Sequence, residues 1–313
     1  LYTAVPPTEQ GTISVPTLIL WGAQDGILPR WVRRGACGWR LDVADELPMT
    51  MLRDMRTAIR SVREDAVLLG EVWEDASNKI SYGVRRRYFT GAELDSVMNY
   101  VFKNAIIAFA TGSLSAVDFA NEIMTVAENY PKDSLNSLMN SLSTHDTARI
   151  LTCLSGCDFP DTKEEQSKHN LTESEYFLAT ERLLLAAFLQ YVLPGTACIY
   201  YGDEIGMQGF GDPFCRGYFK WDNINQRLLG FFKELGKIKN SFKSLQKGDI
   251  KIDARDGVLI IKRAFGTEIF VAVINMSNKE YELCVSDAEI FYNASKVGDT
   301  LYIKKGGFAA YIE

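Results

Sequence analysis

Short apolar runs alternate with longer amphipathic stretches through most of this chain, and that alternation limits its fold more than any other feature. Residues 38–43, 67–72, 138–142 and 197–201 read as strands, while 49–63, 102–111, 116–128 and 174–192 read as helices. Strands that take turns with helices build βαβ units on a parallel sheet, so the expected fold class is α/β. Met51, Leu52, Met55, Ala58, Ile59 and Val62 recur at helical spacing between the first two strands, which marks core packing rather than a cofactor box. Residues 14–21 read as one more buried strand, closed by the Gly-Ala-Gln-Asp-Gly turn at 22–26. After a helix near 225–239 the period shortens to two, as in Gly257 to Lys262 and Glu268 to Val273. Residues 245–313 therefore read as a small antiparallel β domain.

With 313 residues and 47% hydrophobic content, the chain buries a full core and is expected to form one large domain and a smaller one. A net charge of −6 argues against nucleic acid, which requires clustered cations. Arg85-Arg86-Arg87 is the one tight basic cluster, and a solvated helix or loop face accounts for it. The cysteines at 37, 153, 157, 198, 215 and 284 follow no framework spacing, so reduced thiols and a cytoplasmic location are expected. Cys153 and Cys157 lack the further ligands that a four-ligand metal site needs. Residues 183–202 are uncharged for the length of a membrane span, but Pro194-Gly195 divides them into a buried helix and a buried strand. No membrane association is expected. Asp158 to Ser174 is polar, contains Pro160, and reads as a mobile excursion from the scaffold.

Each of three strands hands over to a carboxylate: Asp42 follows Gly38-Trp39-Arg40-Leu41, Glu71 follows Gly70, and Asp146 follows Leu142-Ser143-Thr144-His145. Retaining cleavage of a glycosidic bond uses an ionised carboxylate as nucleophile and a protonated one as acid, roughly 5 Å apart. Neighbouring parallel strands lie about 4.8 Å apart, so Asp42 and Glu71 at successive strand ends satisfy that separation. Arg40, two residues before Asp42, shares its side of the strand and would hold it ionised. Burial beside Trp73 and the charge of Asp42 would keep Glu71 protonated. Asp146 would face the positive charge that develops on the sugar ring, and His145 would bond sugar hydroxyls.

Gly38 to Pro48 (GWRLDVADELP), Leu69 to Ser77 (LGEVWEDAS), Leu142 to Arg149 (LSTHDTAR) and Pro194 to Gly206 (PGTACIYYGDEIG) together resemble the α-amylase superfamily. The nearest branch contains neopullulanase, cyclomaltodextrinase and maltogenic amylase. The resemblance runs from about residue 31 to 313. It implies a (β/α)8 barrel with a C-terminal β domain and hydrolysis of α-1,4-glucosidic bonds of maltodextrins, cyclodextrins or pullulan, with retention. By the same match Asp42 is the nucleophile, Glu71 the general acid/base and Asp146 the transition-state stabiliser. Arg40, Trp73 and His145 fall at substrate-binding positions, and so do Asp212 and Arg216 of the Gly211 to Gly217 loop, for which a plain surface ion pair is the alternative. The implied partner is an α-glucan, with the chain as monomer or homo-oligomer, and no cofactor is expected; no metal is expected either, because the segment that supplies the calcium-ligating asparagine in other members has no counterpart here.

The pattern breaks before Asp42. Three βα units should precede the nucleophile strand, roughly 90 residues, whereas 41 residues do so and the first is Leu rather than Met. The expected architecture is thus a partial (β/α)8 barrel lacking its first three βα units, as in a fragment or processed product. Its expected divisions are a foreign segment at 1–30, the partial barrel at 31–243 and the β domain at 244–313. Ile13 to Asp25 resembles the late strand of α/β-hydrolases, with Asp25 at the triad-acid position, yet no Gly-x-Ser-x-Gly elbow supplies a nucleophile. Residues 16–21 are apolar enough to pair beside the exposed edge of the Asp42 strand, giving an open sheet of about six parallel strands. A non-catalytic glucan-binding protein, a glucosyltransferase and an α-1,6-glucosidase are the alternative functions.

Overall fold

The structure is a computed structural model that describes residues 17–21 and 28–313. Its Cα packing divides the chain into two units, Leu1–Met98 and Asn99–Glu313. The expected turn at 22–26, with Asp25, lies outside the described residues.

The first unit contains β1 (Thr17–Trp21), α1 (Leu28–Arg33), β2 (Ala36–Leu41), α2 (Met49–Arg60), β3 (Val67–Gly70), the hairpin strands β4 (Ile80–Ser81) and β5 (Val84–Arg85), and β6 (Ser96–Val97). β1, β2, β3 and β6 form a parallel sheet in that order. β1 does pair beside the Asp42 strand, with Leu18 opposite Gly38 and Trp21 opposite Leu41. Successive residues of β2 from Gly38 to Leu41 are buried, as expected of a parallel strand covered on both faces. Gly38 allows the close approach of β3, because a Cβ there would sit 2.1 Å from the Val67 carbonyl oxygen.

Leu52 and Ile59 of the α2 stripe are buried, and Met51, Met55 and Ala58 are half-buried. Asp95 fastens this helix to the sheet: its Oδ1 accepts from Arg56 and Arg60, and its Oδ2 accepts from the Leu68 amide of β3 at 2.8 Å. Arg86 corrects the expectation of a solvated basic run. Arg85 and Arg87 are exposed, but Arg86 is buried, lies over the Tyr88 ring, and donates to the Ala44 and Leu47 carbonyls. A buried guanidinium is tolerated where such acceptors replace water.

The second unit begins with α3 (Tyr100–Thr111), α4 (Ala116–Asn129) and α5 (Lys132–Asn136). β7 (Met139–Ser141) and β8 (Thr196–Cys198) form a parallel pair, separated in sequence by α6 (Ile150–Leu154), α7 (Lys163–Lys168) and α8 (Glu173–Val192). The described parallel strands therefore form ladders of four and two rather than one open sheet of six. β6 is too short to extend the ladder, since Asn99 already caps α3 through its side chain. Its amide makes a single bond to Met139 O, at 2.9 Å. The expected excursion at 158–174 carries regular structure of its own. Thr162 with Glu165, and Thr172 with Glu175, form two capping boxes, and Phe159 and His169 both pack edge-on against Phe210.

α9 (Gln226–Ser241) and α10 (Lys243–Lys247) lead into β9 to β14, a six-stranded antiparallel sheet spanning Asp249 to Ile312. Two cations fix the C-terminal end of α8, where carbonyl oxygens point outward and the helix dipole is negative. Fully buried Arg263 donates to Val192 O at 2.7 Å and to Gly248 O at 3.0 Å, and Lys239 donates to Tyr191 O at 2.9 Å. Burial, and next the charge of Arg263, hold the Lys239 ammonium well below its ordinary pKa. Phe188 of α8 stacks on Phe308 of β14 (Thr300–Ile312) at 4.2 Å between centroids, both rings fully enclosed. No helix among the described residues is long and apolar enough to cross a membrane. Phe308→Ala should cost about 3–5 kcal/mol by removing this stack and leaving a cavity. Urea denaturation checks it, and a destabilisation below about 1 kcal/mol contradicts the role given to the stack.

Candidate active site

The register of β2 and β3 brings the first two acids together. Leu41 pairs with Gly70, so Asp42 and Glu71 are the next residues out of the sheet on adjacent strands. The Glu71 amide donates to Leu41 O at 2.9 Å, and the Ala44 amide donates to Glu71 O at 3.2 Å, which fixes both backbones beyond the strand ends. Between them Val43 adopts the left-handed region, φ 41° and ψ 52°. That is a strained conformation for a β-branched residue and costs on the order of 1–3 kcal/mol. It coincides with a bond into the site: the Val43 amide donates to Glu71 Oε2 at 3.0 Å. Sequence reasoning missed Val43, because nothing in its side chain announces a backbone role.

Arg40, 4% exposed, serves both carboxylates. Its Nη1 bonds Asp42 Oδ1, and its Nη2 lies 2.9 Å from Glu71 Oε1 as an ion contact outside hydrogen-bond geometry. Its Nε faces Met98 Sδ at 3.3 Å. The planar fork thus spans the strand ends with its orientation fixed.

The two acids occupy different surroundings. The Asp42 side chain is about half exposed, at 49%, and that of Glu71 is 4% exposed. Burial pushes the Glu71 carboxyl above its ordinary pKa, reinforced by the charge and hydrogen bonding of Asp42 and opposed by the Val43 amide and Arg40. Trp73 is itself 45% exposed.

In the second unit the strand β7 delivers the third acid. Asn140 and Gln190, both buried, anchor that strand: Gln190 donates to Asn140 O at 2.8 Å, and Asn140 donates to Pro194 O at 2.8 Å. Beyond β7, Ser143 Oγ accepts from the Ile150 amide at 2.6 Å, and the Asp146 amide donates to Thr144 Oγ1. His145 Nε2 stands 3.0 Å from Asp146 Oδ2. Arg216 joins four expected residues into one cluster. Its Nε donates to His145 O at 3.0 Å and meets Asp212 Oδ1 at 2.7 Å, while its Nη2 meets Asp146 Oδ1 at 3.3 Å. The Asp212–Arg216 pair is therefore more than an isolated surface contact.

Behind this cluster lies a charge pair that the sequence reading did not single out. Arg149 is fully buried, its guanidinium 4.8 Å from both the Tyr200 and Tyr201 rings, and it donates to Tyr201 O at 2.7 Å. Asp203 lies 3.5 Å away, its carboxyl pushed up to about 7 by burial against the opposing effects of Ser143 and Arg149. Both residues stand inside quoted motifs, but no local pattern there marks them as partners. Burial also pushes the Cys153 thiol up to about 11. Among the described residues no group of three or more His, Cys, Asp or Glu is placed to hold a metal ion.

Paired strand-end carboxylates on a βα scaffold with an antiparallel C-terminal sheet define a class of carbohydrate-active barrel proteins. Residues 22–256 match the α-amylase catalytic domain, and the chain belongs to the α-amylase family. It is 32% identical over 260 residues to a cyclomaltodextrinase of Geobacillus thermopakistaniensis, covering 81% of this chain and 39% of that protein. It is 35% identical over 224 residues to neopullulanase 2 of Thermoactinomyces vulgaris, covering 71% of this chain and 33% of that one. The fold is similar to that of the Nostoc punctiforme debranching enzyme in an acarbose-soaked crystal, with a TM-score of 0.72, 25% identity, 91% of this chain covered and 58% of the other. The chain thus spans about a third to two fifths of the length of those two curated relatives.

Asp42→Asn should move the titration midpoint of Glu71 down, since it removes a like charge. A carboxyl raised in the folded state holds its proton there longer, so the wild-type chain loses stability as pH climbs from the ordinary glutamate value through the raised one. The substitution should bring the upper edge of that window to lower pH and leave its lower edge in place. Carbon-13 NMR of the Glu71 carboxyl reads the midpoint, and one that stays or rises contradicts the coupling.

Proposed function

We propose that this chain belongs to a retaining glycoside hydrolase acting on α-1,4-glucosidic bonds of maltodextrins, cyclodextrins or pullulan. The observation that carries this reading is the pair Asp42 and Glu71: register-matched strand ends, one shared arginine, and opposite environments. In such a pair the partly exposed acid paired with a cation stays ionised, and the buried acid keeps its proton. Glu71 then donates that proton to the glycosidic oxygen as the bond to C1 breaks. Asp42 attacks C1 from the opposite face and forms the glycosyl-enzyme. In the second step Glu71 takes a proton from water, the water oxygen bonds C1, and Asp42 leaves.

Asp146 is assigned the stabilisation of positive charge on the sugar ring, following the family pattern. His145, Arg40, Trp73, Asp212 and Arg216 are assigned to substrate binding on the same ground, and the contacts of Arg216 with His145, Asp146 and Asp212 support treating those four as one group. The names of the relatives, cyclomaltodextrinase and neopullulanase, support the choice of substrates. A cytoplasmic location accords with six cysteines that are all free.

Reducing-sugar release from cyclodextrin or pullulan tests the assignment. The wild-type chain should release sugar, Asp42→Asn should bring release to background, and Glu71→Gln should lower it by about 10²–10⁴-fold. Absence of release by the wild-type chain, or release that survives Asp42→Asn, contradicts the proposal.

A further inference from the structure

Between β7 and α6 the chain turns through residues 143–149, and His145 and Asp146 lie on that turn. Both ends of the turn meet at one carboxyl. Ser143, at its start, hydrogen-bonds Asp203, and the Ser143 Oγ accepts from the Ile150 amide at 2.6 Å. Arg149, at its end, brings Nη1 to 3.5 Å from Asp203 Oδ1 and donates from the same nitrogen to Tyr201 O at 2.7 Å. Ser143, Arg149 and Asp203 are all buried, so this convergence belongs to the interior of the second unit. A second route starts at the same guanidinium. It lies 4.8 Å from both the Tyr200 and Tyr201 rings, whose hydroxyls donate to Cys215 O at 3.3 Å and to Gly217 O at 2.7 Å. The segment held in this way returns to the turn, where the Cys215 thiol and Arg216 Nε donate to His145 O at 3.2 and 3.0 Å. Arg216 Nη2 then meets Asp146 Oδ1 at 3.3 Å.

Packing alone does not call for such a group. Burying an ion pair costs desolvation, and apolar side chains of similar volume often serve stability as well or better. What a guanidinium adds is direction, because its fork has fixed bond angles and its flat faces stack on rings. We propose that Arg149 and Asp203 are positioning residues, a buried clamp that fixes the turn bearing His145 and Asp146 and so sets where the Asp146 carboxylate points. This rests on the glycosidase reading given above, in which Asp146 faces the charge on the sugar ring. A carboxylate that stabilises a short-lived charge must stand in place before the charge appears. A misplacement of about 1 Å by a change far from the chemistry can cost roughly 10²-fold in rate.

Hydrogen–deuterium exchange of the whole chain, read by mass spectrometry beside turnover of cyclodextrin, tests the clamp. Arg149→Lys keeps the charge but loses the fork, and Asp203→Ala removes the acceptor. Both should speed exchange in 142–150 roughly tenfold, the size of one lost bond to a charged group, and leave the antiparallel sheet at 249–312 unchanged. The turn reports its own loosening, because its Asp146, Arg149 and Ile150 amides bond Thr144 Oγ1, Gly209 O and Ser143 Oγ. Asp203→Asn should stay close to wild type, since the amide keeps an acceptor toward Arg149 and resembles the protonated carboxyl that burial favours. In turnover, kcat should fall about 10²-fold in Arg149→Lys and Asp203→Ala with KM little changed, and Asp203→Asn should keep most of it. Faster exchange spread evenly over the second unit marks a general stabilising role and overturns the clamp, as does an unchanged kcat in both disruptive variants. Either result leaves the glycosidase reading intact. Where the wild-type chain releases no sugar that reading fails, and the exchange pattern alone upholds or overturns the clamp.

Discussion

The parallel pairing of β2 with β3 decides which two side chains leave the sheet together, and the chemistry of the first unit depends on it. Leu41 opposite Gly70 makes Asp42 and Glu71 neighbours. In a strand, a slip of one residue turns every side chain to the other face, which here would part Arg40 and Asp42 from Glu71. Gly38 holds the register by letting the backbones approach where any side chain would strike Val67 O. Asp95 holds it from the other side, through the Leu68 amide and the arginines of α2.

On that register, one guanidinium and one strained residue create an asymmetry between two like groups. Arg40 contacts both acids, yet burial acts mainly on Glu71, so one acid tends to hold its proton and the other has a bonded cation beside it. Val43 shows that the local backbone bears a cost in order to aim an amide at Glu71. Strain of this kind persists where surrounding contacts over-determine it. The bonds from Ala44 to Glu71 and from Glu71 to Leu41 do so here.

Much of this was legible in the sequence, for physical reasons. Apolar runs followed by an acid are a one-dimensional signal, so the positions of β2, β3 and β7 and of their three carboxylates could be read directly. Period-two alternation likewise exposed the C-terminal sheet. What the sequence hid depends on distance along the chain. The contact of Arg40 with Glu71 spans 31 positions and needs the register. Arg86 looked like one of three solvated arginines until carbonyls from residues 44 and 47 came to it. β6 is two residues long and carries no periodicity to detect. The two capping boxes around 162–175 were legible as Thr-x-x-Glu pairs, but the polarity of the segment concealed them. Arg149 and Asp203 stand 54 positions apart, so their pairing has no local signal within either motif.

The central claim is that Asp42, held by Arg40, is the ionised carboxylate that bonds sugar carbon. The most direct measurement is mass spectrometry of the chain after exposure to a fluorinated maltosyl fluoride, which slows release of the glycosyl-enzyme. The account predicts one glycosyl mass added, mapped to the peptide at Asp42 and absent from Asp42→Asn. An adduct on Glu71 or elsewhere, or a chain that stays unlabelled, would contradict it.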